Sequence, residues 1–176
     1  MYLSNHIDIR QHFDIIVHNK NLIGENYIMT TFLAEKTGRV LLIHLTKGDD
    51  LLRCISKAVE EHGIKTGIVT SAIGSLRKFS YHYIKDNNDT PTDIFEDVEG
   101  PLELVTAEGL VIEGKPHLHA LVSEYGSKRT ISGHLEEGSE IQYLAEISIV
   151  ELPNMPIGRR VGKCGKIANI EWTDGR

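Results

Sequence analysis

The residues best suited to chemistry in this chain are histidines. His117-Leu118-His119 carries two imidazoles two positions apart, and in an extended strand residues at that spacing project from the same face. His134, in Ser132-Gly133-His134-Leu135, falls on the next predicted strand after a short connection, so hairpin pairing brings it within reach of the first two. Gly133 beside it would let a ligand or a neighbouring backbone approach closely. Two imidazoles and one further donor are the usual minimum for an exchangeable transition-metal site. His117, His119 and His134 are therefore expected to ligate a metal. Any one of them alone would be an ordinary hydrogen-bonded side chain; the spacing sets them apart. The other six histidines (His6, His12, His18, His44, His62 and His82) show no comparable pattern. His62 stands at a helix end, where a cation is favoured, and His44 and His82 read as structural strand positions.

Other polar residues are candidates for supporting roles. His117-x-His119-x4-Glu124 matches the first half of a cupin signature, but an unbroken strand puts Glu124 on the opposite face from His119, and the second half is missing. Glu146 interrupts the apolar strand Leu144 to Val150. A charge there is costly unless paired or wet, so Glu146 is either an accessory partner of a ligating histidine or a general base for metal-bound water, or else a solvated or intersubunit carboxylate. Ser71-Ala72-Ile73-Gly74-Ser75-Leu76-Arg77 supplies hydroxyls and a cation, with Ser71 and Arg77 as further accessory candidates, but not the spacing of a phosphate-binding loop. Neither a Gly-x-Ser-x-Gly elbow nor a His-Glu-x-x-His helix is present, and Cys54 has no base beside it in sequence, so nucleophilic catalysis finds no support.

The elements that must position these residues follow from periodicity. Gly38 to Leu45 is a short apolar, β-branched run and predicts a buried strand. Leu51, Leu52, Ile55, Ala58, Val59 and His62 recur at helical spacing, with Asp49 as the expected N-cap and Gly63 as the stop. Thr66 to Gly74 and Leu76 to Ile84 read as strands, with Phe79, Tyr81 and Tyr83 on one face. Asp86 to Pro91 is a loop by composition. Beyond Pro101, strands are expected at 102–112, 117–123, 130–135 and 141–150. Gaps that short exclude a parallel crossover, so these strands should be antiparallel neighbours. One early helix and a late run of strands indicate an α+β fold, a compact single domain in which a main helix and short helices pack a mainly antiparallel sheet.

The chain has 176 residues, with 40% apolar and 25% charged side chains, the composition of one folded domain. No run approaches the ~20 apolar residues of a membrane span. No secretory signal is visible at the N-terminus. Cys54 and Cys164 occur in unrelated contexts, and two free thiols in a reducing cytoplasm are expected. The net charge of −6 speaks against general polyanion binding. It is unevenly spread. Residues 157–176 hold Arg159, Arg160, Lys163, Lys166 and Arg176 against Glu171 and Asp174, so the tail is basic and the body acidic.

Taken in order, Ser71-Ala72-Ile73-Gly74-Ser75-Leu76, Gly114-Lys115-Pro116-His117-Leu118-His119-Ala120, Ser132-Gly133-His134-Leu135-x-x-Gly138 and Ala145-Glu146-Ile147-x-Ile149 resemble the plant and prokaryote conserved (PPC) domain. The resemblance covers roughly residues 36–152, leaving an N-terminal extension over 1–35 and a basic tail over 153–176. It implies a homotrimer, and zinc or a similar divalent metal held by His117, His119 and His134. In plants the domain accompanies AT-hooks, which lie in the narrow minor groove. Here Pro156-Ile157-Gly158-Arg159-Arg160-Val161 has the Gly-Arg without the following proline, so the hook is absent. Three functions remain as expectations: a trimeric zinc-binding domain, a DNA-associated protein using Arg159, Arg160, Lys163 and Lys166, and a hydrolase-like enzyme with zinc-activated water.

Overall fold

The structure, a computed structural model, describes residues 30–162, 165 and 167–175. Expectations on residues 1–28, Lys163, Cys164 and Lys166 lie outside the described residues. The chain divides into Met1–Leu33 and Ala34–Arg176, and every named element belongs to the second unit.

The sheet is built from β1 (Val40–Thr46), β2 (Gly67–Ile84), β3 (Asp93–Ile112), β4 (Lys115–Glu124), β5 (Thr130–Leu135) and β6 (Glu140–Glu151). Their order is β1-β6-β2-β3-β4-β5, with antiparallel pairing throughout, as the short connections require. β2 does two jobs because it has 18 residues. Its first part, Gly67 to Lys78, pairs with β6. Its far end returns to β5 through Tyr81↔Leu135 and His82↔His134. Thus β2, β3, β4 and β5 close on one another, and an edge that would otherwise be open is paired.

Alternation explains which side faces inward. Leu118, Ala120 and Val122 of β4 and Ile131 and Leu135 of β5 are buried, so His117, His119 and His134, at the intervening positions, stand on the outer side. Inside, Phe79, Leu76, Leu104, Leu118, Leu135 and Ile149 are fully enclosed. The helix α1 (Leu51–Glu61) covers this core with Leu51, Ile55 and Val59, one stripe at i, i+4 and i+8. Full burial of each is worth roughly 2 kcal/mol.

The helix starts one residue later than expected. Asp50, not Asp49, is the N-cap: its Oδ1 accepts from the Arg53 amide at 2.9 Å and its Oδ2 from the Gly138 amide at 2.6 Å. Asp49 instead accepts from the Thr46 amide at 2.7 Å and so closes the preceding turn. Gly63 ends the helix at a φ of +66°, where an L side chain would be strained. The short helices expected beside α1 are not found among the described residues.

Two further differences concern strands. β3 begins at Asp93, well before Pro101. The register between β2 and β3 shifts between Leu76 and Lys78, and proline is tolerated at such a bulge because no ladder hydrogen bond is needed from it. The acidic composition of Asp93 to Gly100 masked the strand in the sequence. In the basic tail, β7 (Ile157–Val161) and β8 (Ala168–Trp172) form a two-stranded sheet.

Asp50 ties the helix start to the turn after β5 with two hydrogen bonds. Asp50→Ala should lower unfolding free energy by about 2 kcal/mol, read as a lower urea midpoint at unchanged m-value, while Asp49→Ala should cost less.

Candidate metal centre

The register brings the three expected ligands together. His119 pairs directly with His134 across β4 and β5, and His117 stands two residues along the same face. Donor atoms of His117, His119 and His134 all lie within 4.8 Å of one another. The His134 ring meets His117 and His119 edge-on, with interplanar angles of 88° and 80°, so the rings converge rather than stack.

Two glycines make this approach possible. A side chain at Gly109 would run into the carbonyl oxygen of His117 on the neighbouring strand. A Cβ at Gly133 would stand 2.5 Å from the Tyr81 ring and 2.8 Å from the His82 carbonyl oxygen. The close approach anticipated at Gly133 is therefore that of ring and backbone.

For His117 and His134 the electrostatics favour the neutral imidazole, the form that binds metal. Burial, with the neighbouring His117, His82 and His119, pushes His134 down to about 4. Burial, then the Arg159 guanidinium, also lowers His117. Three imidazole nitrogens converging in this way are the kind of donor set a tetrahedral ion takes, with bonds to nitrogen of ~2.1 Å. Zinc bound there would retain a fourth position for water and lower its pKa toward neutrality.

Two further donors, His82 and Glu136, join this face. His82 pairs with His134 across β2 and β5; their rings stack at 4.3 Å. Its Nδ1 is 2.6 Å from Glu136 Oε1. The signal for Glu136 was present, since His134-x-Glu136 repeats the spacing of His117-x-His119. Nothing local in the sequence pointed to His82, because its partner lies 52 residues away.

The accessory candidates do not join the cluster. Glu146 is exposed and pairs in register with His44 on β1 and Ile73 on β2. Ser71 lies on the same part of the sheet, lining a hollow with Leu42, His44, Ile73 and Glu146. Ile73 and His82 are separated by on the order of 30 Å of extended chain. Of the readings open for Glu146, its exposed position fits a carboxylate on the outer sheet face, away from the histidines. Arg77, at the β2 bulge, pairs with Glu140 at 3.3 Å. Glu124 stays away from the histidines, as parity requires, and accepts from Ser127 Oγ at 2.6 Å. In the tail, Arg160 Nη1 donates to both carboxylate oxygens of Glu113, at 3.0 and 3.1 Å, and the Arg159 charge acts on His117.

A sequence model of the Plants and Prokaryotes Conserved (PCC) domain matches residues 33–153. Among solved structures, a plant- and prokaryote-conserved (PPC) protein of Pyrococcus horikoshii is similar over 81% of this chain and 97% of its own, at 29% identity and a TM-score of 0.67. The metal-containing protein AF0104 of Archaeoglobus fulgidus is similar over 80% and 98%, at 26% identity and a TM-score of 0.68. A protein of Bacteroides thetaiotaomicron described as "a putative dna binding protein" shares the fold at 18% identity, over 78% and 95%, with a TM-score of 0.65. No curated protein matches the chain.

Two outcomes follow for the metal-free protein. Because His134 titrates near 4 when folded and 6.5 when not, the unfolded chain takes up a proton between those values that the folded chain refuses. Stability is then complete above pH ~6.5 and falls as the pH drops toward 4. Urea midpoints measured in chelator should follow that slope, and less steeply in His134→Asn; a flat wild-type profile contradicts the assignment. Gly133→Ala should cost about 1–3 kcal/mol, as overpacking does, and weaken metal binding by displacing His134.

Proposed function

We propose, on the premise that the chain belongs to the Plants and Prokaryotes Conserved domain family, that it is a binding module holding a zinc-type ion on His117, His119 and His134. The observation that carries this reading is the convergence of three imidazoles within 4.8 Å, two of them held toward the neutral form by burial. Three nitrogen donors suit zinc better than magnesium or calcium, which prefer oxygen. The free thiol of Cys54 suits a reducing, cytoplasmic setting, and among the described residues no helix is long and apolar enough to cross a membrane.

A homotrimer is part of the same proposal. The outer face of β1, β6 and β2 presents Val40, Leu42, Ile73 and Leu144, which are 63%, 75%, 48% and 43% exposed. Apolar side chains grouped in this way are what a partner copy would cover. A nucleic-acid role draws less support: the body is acidic, and the Arg160 guanidinium already engages Glu113, so its charge is not offered to a phosphate.

Elemental analysis of protein purified without a polyhistidine tag tests the metal. About one zinc per chain is expected, with loss of the ion and a lower Tm in His119→Ala; a metal-free wild type whose stability zinc leaves unchanged would overturn the reading. Sedimentation tests assembly: a trimer is expected, reduced to monomer by Leu42→Asp, and a wild type that sediments as a monomer at tens of micromolar contradicts it.

A further inference from the structure

Beside the three-imidazole position, a different donor set converges on the same outer face. His82, His134 and Glu136 place ligand atoms within 4.8 Å of one another. We propose that these three residues form a second divalent-cation position, of two imidazoles and one carboxylate, suited to a harder ion of the Mn2+ class. It shares His134 with the zinc reading above but rests on different residues, His82 and Glu136, and does not require the other position to be filled.

The geometry is built rather than incidental. His82 and His134 are fixed opposite each other by the β2–β5 register, and Phe95 packs against the His82 ring at 5.0 Å. Glu136 is held through its own backbone. Its amide donates to the Ser80 carbonyl oxygen at 2.9 Å, and its carbonyl oxygen accepts from Ser139 Oγ at 3.1 Å. Ser139 is fully buried and its Oγ also bonds both backbone groups of Ser80. The carboxylate is thereby presented to His82 Nδ1 at 2.6 Å and to His134 Nε2 at 4.0 Å. All three side chains are partly covered, at 21%, 21% and 32% exposure. Donors so placed lose little freedom on binding.

The chemistry of the donors separates the two positions. The hydrogen bond between His82 Nδ1 and Glu136 Oε1 holds one proton between two metal-type donors, and a cation binding there displaces that proton. Carboxylate shifts preference toward harder ions, while an all-imidazole set favours zinc. Since one imidazole serves both sets, the positions compete for a single ion, and the identity of the ion decides which set holds it.

Titrating the full, untagged chain with Mn2+ by electron paramagnetic resonance, and with Zn2+ by chelator competition, tests this. His82→Ala and Glu136→Gln should each weaken Mn2+ binding about tenfold or more, change zinc affinity less than about threefold, and keep the wild-type circular dichroism; His119→Ala should do the reverse. Glu136→Asp, which keeps the carboxylate, should recover part of the Mn2+ affinity. The proposal is overturned if the folded wild type binds no Mn2+, or if His82→Ala and Glu136→Gln leave Mn2+ affinity unchanged, which would make the pair a simple hydrogen bond. Zinc affinity unaltered by His119→Ala would sink the three-imidazole reading, with this one still standing on its own variants.

Discussion

The closure of β5 onto the far end of β2 governs everything distinctive in this molecule. It consists of a two-residue register, Tyr81↔Leu135 and His82↔His134, reinforced by the Glu136 amide on the Ser80 carbonyl oxygen and by the buried Ser139 hydroxyl on both backbone groups of Ser80. Were β5 paired only with β4, His134 would still face His119, but His82 and Glu136 would not meet it. The same closure removes a sheet edge and encloses Tyr81 and Leu135.

Close approach of backbones then sets the chemistry. Gly109 lets β3 lie against the His117 carbonyl, and Gly133 admits the Tyr81 ring and the His82 carbonyl. His117 and His134 are covered enough that desolvation disfavours their charged forms, and His134 is held down to about 4. Mutual repulsion among imidazolium ions at ring separations of 4.3 to 5.7 Å acts in the same direction.

The two ends of the sheet carry different side chains. The histidines occupy the β2–β5 end. The β1–β6–β2 end carries apolar side chains around His44 and Glu146, with Ser71 nearby. This separation explains why Glu146, attractive as a carboxylate in an apolar strand, is no partner of the metal candidates. It belongs to the exposed face of β1, β6 and β2 that also presents Leu42, Ile73 and Leu144. In the tail, Arg159 and Arg160 sit on β7, where the Arg159 charge acts on His117 and Arg160 pairs with Glu113.

Local periodicity was enough to set out the helix, most strands, their antiparallel order and the three-histidine face, because each depends on spacing within one element or one hairpin. The helix cap moved by a residue, since Asp49 and Asp50 compete for it and only the Gly138 amide, 88 residues from Asp50, breaks the tie. The early part of β3 escaped notice because Asp93 to Gly100 is acidic and Pro101 resembles a break; a bulge that exists only against β2 accommodates it. His82 was legible as a strand residue and nothing more. Its meeting with His134 requires β2 to outlast β6 and reach β5, a matter of sheet closure that no sequence period encodes. What the sequence by itself determined was which residues share a face; which faces meet was decided by the tertiary structure, because closure is set by the packing of the whole core.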